Sequence, residues 1–478
     1  MSPSQAVPRF RVAAIELFER DVRLRMPFRF GVVTLTESPQ AFVRARIRLE
    51  DGRESEGAAA ELLAPKWFDK NPALTNEDNY GQLRLALALA RDAYLAGATN
   101  TAFGHWRTHY RPQIDAGAKH GLNSLVACYG PALVDRAVLD ALCRALGVSF
   151  YRAVRANAVG MEPFEGIDLA AFAATLKPAA SIGARHTVGL VDPIVAADQR
   201  ERVNDGLPET LEEVVARYGH RYFKLKVGGN VAADVERLAA IASVLDRILD
   251  PYYASLDGNE QYEGVDGVIE LWRRIEADPR LARLAASVIF IEQPIKRPNA
   301  LAREISKLAA LKAVIIDESD DSLEAFPRAK ALGYTGVSSK TCKGIYKSLI
   351  NRARCAKWNK QAGAARYFMS GEDLTIQPGL ALQQDLALVS LLGLTHLERN
   401  GHHYVNGMAA LPETEQNAFL AAHSDLYERS HGAVRVRIAG GKLAIGSLDC
   451  PGFASRAMPE WGAMRRTETE MKKWASAS

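Results

Sequence analysis

The sequence predicts an α/β protein: a (β/α) barrel with a smaller α+β unit beside it. Two observations carry this. From about residue 185, short apolar runs alternate with amphipathic helical stretches about eight times, a rhythm that builds a parallel sheet and, at this count, a closed barrel rather than an open sheet. On both sides of that stretch the pattern changes to alternating strands and longer helices.

Residues 11–60 read as antiparallel strands. Val43-Arg-Ala-Arg-Ile-Arg-Leu49 alternates apolar and basic residues, and Asp51-Gly52 supplies a turn. From about 80 to 150 the spacing becomes helical, with Leu83–Tyr94 and then Leu133, Ala137, Asp140, Ala141 and Arg144 at helical intervals. The barrel strands are expected near 186–191, 222–227, 253–257, 288–292, 314–318, 335–340, 366–370 and 394–398. Helices are expected at 208–218, 231–249, Val265–Ile275 and Leu323–Leu332. Val434–Ile438, Gly440-Gly441 and Lys442–Ile445 read as a hairpin that returns to the first unit. The expected division is a capping domain over 1–184, with an insertion at about 60–125, a catalytic barrel over 185–411, and a C-terminal segment, 412–478, that rejoins the cap.

Composition narrows the function. The chain has 478 residues, 24% charged and 48% hydrophobic, an ordinary globular balance for two or three structural units. Its net charge of +4 comes from 60 basic and 56 acidic residues spread along the whole chain, which speaks against a nucleic-acid partner. No run reaches the ~18 apolar residues of a membrane span, so no membrane partner is expected. Residues 1–10 show no apolar run of signal-peptide length. Cys128, Cys143, Cys342, Cys355 and Cys450 include no Cys-x-x-Cys pair, so they read as small buried side chains in a reducing, cytoplasmic setting. A homo-oligomer is expected.

Barrels of this kind place their chemistry at the C-terminal ends of the strands. The second strand ends Tyr222-Phe-Lys-Leu-Lys-Val227. Alternation puts Phe223, Leu225 and Val227 on the outer face and Lys224 and Lys226 in the barrel mouth. Lysines there are costly unless they are paired or functional. The third, fourth and fifth strands each end on a carboxylate: Asp257, Glu292 and Asp317. Three converging carboxylates repel one another unless a cation lies between them, and an oxygen-only set suits Mg2+ or Mn2+. Asp317 is preferred to Glu318 because neighbours on a strand face opposite ways. Lys340, ending the sixth strand, lies across the barrel from the second and is a candidate base. Lys343, His402 and His403 read as loop residues.

Lys-x-Lys, Asp257-x-Asn259, Glu292-Gln-Pro294, Asp317-Glu-Ser319 and Lys340, in this order on consecutive strands, resemble the muconate-lactonizing subgroup of the enolase superfamily, within the mandelate racemase/muconate lactonizing enzyme family. The likeness covers about 185–410 and extends to Ala132–Asp140. It implies a modified (β/α)7β TIM barrel with an α+β capping domain, and Mg2+ bound by Asp257, Glu292 and Asp317. It also implies an acid/base pair of Lys226 and Lys340, with Lys224 as an electrostatic helper. Asn259 and Glu318 would support the metal ligands, Ser370 and Glu398 would support the site or meet substrate, and Phe28 and Arg29, with Phe30, would reach down from the cap. The implied activity is removal of a proton α to the carboxylate of a small carboxylic acid, ending in racemisation or epimerisation, cycloisomerisation or dehydration. The chain departs from the pattern on the seventh strand, which ends Ser370-Gly-Glu372-Asp373 without the histidine of the mandelate-racemase type. After the eighth strand it has no Asp-x-Asp of the dipeptide-epimerase kind. Two other readings are a Schiff-base lyase using Lys226 or Lys340 as nucleophile, and a non-catalytic metal-binding barrel.

Overall fold

The computed structural model describes residues 7–467. The chain begins with an antiparallel meander of β1 (Phe10–Phe30), β2 (Val33–Leu49) and β3 (Glu54–Leu62). On β2, Val43, Ala45 and Ile47 are buried, while Arg44 and Arg48 meet Glu56 and Glu54 of β3 at 2.9 and 2.5 Å on the open face. Such exposed pairs contribute little each, and burial of the apolar face holds the sheet.

Helices α1 (Asn76–Ala96) and α3 (Ser124–Leu146) pack on the sheet, and α2 (Ala102–Lys119) packs on both of them. Thr75 and Asp78 form a reciprocal capping box that starts α1. The segment 60–125 is thus the end of β3, a loop, α1 and α2. Helix α3 is buried along nearly its whole length. A Cβ on Gly57 would stand 2.1 Å from the Ala141 backbone nitrogen, so β3 and α3 meet this closely only through glycine. The Asp140 carboxylate accepts from the amides of Ala58 at 2.9 Å and Phe453 at 2.6 Å, tying α3 to β3 and to the C-terminal segment.

Eight parallel strands follow: β4 (Ser181–Val188), β5 (Tyr222–Lys226), β6 (Tyr253–Asp257), β7 (Val288–Glu292), β8 (Val314–Ile316), β9 (Gly336–Ser339), β10 (Phe368–Gly371) and β11 (His396–Glu398). Each pairs with the next, and β11 pairs back to β4 with His396 opposite Gly183. The sheet is therefore a closed barrel, with helices between its strands. The first strand starts earlier than the sequence pattern suggests and ends at Val188, where the Asp192 carboxylate accepts from the Gly189 amide at 2.8 Å and turns the chain.

The C-terminal hairpin differs from expectation. It joins β12 (Tyr427–Ser430) to β13 (Ala433–Val436), whereas β14 (Lys442–Ala444) pairs antiparallel with Ser181–Gly183 of β4. Strand β4 pairs with β5 only from Arg185 onward, so its first residues offer a free edge that β14 fills. Finally β15 (Arg465–Arg466) pairs with Phe18 and Glu19 of β1. All five cysteines are buried and unpaired. Among the described residues no helix is long and apolar enough to cross a membrane.

His423 shows how the C-terminal segment is held. Its Nδ1 lies 3.0 Å from the Ser447 hydroxyl, and its Nε2 accepts from the Arg456 amide at 3.2 Å, which requires a neutral ring. Burial pushes this imidazole down to about 4. The unfolded chain therefore binds the extra proton first as pH falls below about 6.5, and this contribution to stability is lost between there and about 4. Relative to His423→Gln, the wild type is expected to lose about 1–2 kcal/mol of stability between pH 7 and pH 5, read by urea denaturation. An unchanged difference would show that His423 is not held neutral.

Candidate active site

Alternation on β5 buries Phe223 and Leu225 outward and turns Lys224 and Lys226 inward, where they are 1% and 5% exposed. Lys226, Asp257 and Glu292 are neighbours in register across β5, β6 and β7. Asp317 stands two residues beyond Ile315, the partner of Glu292. The turns behind these strand ends are tight. A Cβ on Gly258 would lie 2.6 Å from Pro294 Cα, and Asn259, Glu260 and Gln293 all take positive φ, at 38°, 68° and 32°, a strained backbone of the kind found near functional sites.

Lys224 is the hub. Its ammonium lies 2.8–2.9 Å from carboxylate oxygens of Asp257, Glu292, Glu372 and Glu398. Burial works to lower its pKa, but these four carboxylates hold it well above the usual lysine range. Glu292 goes the opposite way for a carboxyl: burial first, then Asp257 and Glu372, push it well above the usual range. Glu372 is also held by Arg185 of β4 and by the Ser370 hydroxyl. Glu398 accepts from the Thr187 hydroxyl at 2.6 Å and the Asp373 amide at 3.0 Å. Ser370 and Glu398 thus brace the lysine hub rather than face open space.

Lys226 reaches Asp257 at 2.5 Å and the Asn259 side-chain oxygen at 2.6 Å, and Asn259 in turn donates to Glu318 at 3.2 Å. Across the barrel, Lys340 pairs with Asp317 at 2.7 Å and lies over the Trp67 ring, 4.3 Å from its centre. Burial would raise the Asp317 carboxyl, yet Lys340 and Lys343 hold it far below the carboxylate range. The same pairing overcomes burial and raises Lys340 above the usual lysine range. Asp317 and Glu318 point apart, since Glu318 meets Lys70 and Asn259 instead. The Gln293 side chain fixes this corner by accepting from the amides of Asp317 at 2.9 Å and Ser319 at 3.1 Å.

Lys226 and Lys340 line one small cavity together with Asn259, Thr375 and Asn400. Phe28, Phe30, Leu35, Trp67 and Leu374 form its apolar walls. Phe28 and Phe30 come from the end of β1, and Phe28 stacks on Tyr404 at 4.2 Å. Arg29, between them, is exposed on the other face and does not line the cavity; strand alternation turns it outward as it turns the two phenylalanines in.

Sequence reasoning missed several participants. Lys343 is buried rather than solvated, because a 3-10 turn after β9 tucks its ammonium against Ser338, Asp317 and Asp320. His403 is likewise buried. Trp67 and Lys70 come from the loop after β3, where Lys70 reaches Glu260 at 2.5 Å and the Asn259 carbonyl at 2.8 Å. The aromatic pair Trp67-Phe68 in a loop was the available signal. Glu372 stands in Ser370-Gly371-Glu372-Asp373 at the end of the seventh strand, where the sequence pattern singles out only Ser370.

The donor set suits a hard divalent cation. Asp257, Glu292 and Asp317 offer only oxygen and are at most 1% exposed, and one ammonium already draws four carboxylates around it. Lys224 engages Asp257 and Glu292, while Lys340 and Lys343 engage Asp317.

No protein of curated function matches the chain. Among solved structures, the chain is similar to a muconate lactonizing enzyme from Pseudomonas fluorescens complexed with muconolactone, at 16% identity, covering 95% of this chain and 98% of that one, with a TM-score of 0.57. It is similar to the L-Ala-D/L-Glu epimerase from Bacillus subtilis, at 15% identity over 94% and 99% of the two chains, with a TM-score of 0.56. It is also similar to an enolase with bound Mg from the alphaproteobacterium BAL199, at 14% identity over 97% and 99%, with a TM-score of 0.57. These likenesses carry the fold. A family model described as "Enolase C-terminal domain-like" matches residues 206–444, which spans the barrel from the approach to β5 through β14, and on that match the chain belongs to the enolase superfamily.

Proposed function

We propose that the chain is an isomerase or lyase that removes a proton α to the carboxylate of a small carboxylic acid, with Mg2+, or Mn2+ in its place, held by Asp257, Glu292 and Asp317. The observation that carries this reading is the pair of lysines, Lys226 and Lys340, that enter one cavity from opposite sides of the barrel beside those three carboxylates. A bound Mg2+ would stabilise the enediolate formed on proton loss and neutralise the carboxylates that now keep Lys340 and Lys224 charged.

The chain's own residues supply the rest. Lys226 and Lys340 take and return the proton on the two faces of the α carbon. Lys224 adds positive charge beneath the substrate carboxylate. Asn259 orients Lys226, and Trp67 packs over Lys340 and excludes water from it. The walls of Phe28, Phe30, Leu35 and Leu374 favour a substrate with an apolar flank. Buried, unpaired cysteines support a reducing, cytoplasmic setting.

The test is a panel of carboxylic acids incubated with the Mg2+-loaded chain in D2O and followed by proton NMR. Loss of the α-proton signal in acids with an apolar flank is expected. Borohydride treatment in the presence of an exchanging acid should leave no covalent adduct. A trapped adduct on Lys226 or Lys340 would replace this reading with Schiff-base chemistry.

A further inference from the structure

We propose that His186, His220 and His402 form a second metal site, separate from the carboxylates of the barrel mouth, that takes a zinc-class ion through three imidazole nitrogens. One ligand nitrogen from each ring lies within 4.8 Å of the others. The three ring centres are mutually 5.3 Å apart, an equilateral triangle. A tetrahedral ion about 2.0–2.1 Å from each nitrogen sets ring centres about 5 Å apart, so the rings already stand where such an ion would place them.

The hydrogen bonding points to the same ligand. His220 Nδ1 lies 2.8 Å from the Ala184 carbonyl, to which it donates. That leaves Nε2 unprotonated, buried and without a partner. A ring fixed through one nitrogen so that the other presents a lone pair is the usual arrangement of a metal-bound histidine. His186 Nδ1 and both ring nitrogens of His402 are also buried without a hydrogen-bond partner, although the Arg399 backbone lies near the His402 ring. His186 and His220 are each 1% exposed. Orphaned nitrogens at this depth are costly, and a cation at their centre would satisfy all three rings together. Burial also keeps these rings neutral, as ligation requires, with His220 near 4.

The site lies on the outside of the barrel. Arg185 and Thr187 of β4 point inward to Glu372 and Glu398, so His186 between them points outward. His220 precedes β5, and His402 sits in the one-turn helix Gly401–Tyr404 after β11. An ion there would pin the segment that carries Tyr404, the residue stacked on Phe28 in the cavity roof. A cavity of about 20 Å3 beside His402, lined also by Tyr218 and Arg399, has room for the water that would complete the fourth position.

The test is cobalt(II) titration of the chelator-treated full chain with excess Mg2+ present. A nitrogen-ligated, four-coordinate cobalt ion absorbs strongly in the visible range, whereas a six-coordinate ion held by oxygens absorbs weakly. An intense band saturating at one equivalent is expected. It should be retained in Asp257→Asn and lost in His402→Gln, chosen because His402 is partly exposed and its replacement is least disruptive. X-ray absorption of the wild type loaded with one equivalent of zinc gives a check that needs no variant, and should show imidazole scattering. Absence of the intense band in the folded wild type, its persistence in His402→Gln, or an oxygen-only shell around zinc would overturn the proposal.

Discussion

Lys224→Met should be the most damaging single substitution in the barrel. Four carboxylates share its ammonium at 2.8–2.9 Å, in a site that is 1% exposed or less. Methionine keeps the length and removes the charge. Asp257 retains Lys226, Glu372 retains Arg185, and Glu398 retains Thr187, but Glu292 keeps no other basic partner among the described residues. Removing one member of a buried charge cluster costs about 3–5 kcal/mol, because the remaining charges stay buried without compensation. The denaturant midpoint should fall accordingly, and millimolar Mg2+ should raise it more in the variant than in the wild type, since a divalent cation can replace the missing charge. A wild-type midpoint in the variant would mean that Lys224 is not what neutralises the cluster.

Lys226→Ala and Lys340→Ala should each leave a folded protein with turnover reduced by about 100-fold to 10,000-fold, the range for loss of a positioned proton-transfer group. Strands β5 and β9 are four apart in a closed ring of eight, so the two ammonium groups meet a substrate from opposite sides. With an acid that has two exchangeable enantiomers, each variant should keep α-proton exchange on one enantiomer and lose it on the other. Wild-type exchange on both enantiomers by either variant would rule out a two-lysine mechanism. Loss of exchange on both in Lys226→Ala alone would leave Lys340 a role in charge stabilisation only.

The barrel was legible because its strands are short, apolar and regularly spaced. Val288–Glu292 and Tyr253–Asp257 begin and end where their composition says. The facing of Lys224 and Lys226 follows from alternation alone. What failed to show in the sequence depends on contacts distant in the chain. Trp67 meets Lys340 across 273 positions, Lys70 meets Glu318 across 248, and no local pattern marks either. Lys343 has the composition of a solvated loop, and only the turn after β9 buries it. The segment Lys442–Ala444 follows a Gly-Gly pair and alternates like a hairpin arm, but the open edge of β4 competes for it and wins. His402 and His403 lie in a sequence that reads as loop, and only barrel closure brings His402 beside His186 and His220.

The most direct measurement is α-proton exchange in D2O on one reactive acid, comparing chelated wild type, wild type with Mg2+ restored, and Asp317→Asn with Mg2+ in excess. Exchange should be absent after chelation, return with Mg2+, and stay low in Asp317→Asn, whose carboxamide is a weaker ligand for a hard cation. Equal exchange rates with and without the metal, or an unimpaired Asp317→Asn, would contradict metal-assisted proton abstraction at this site.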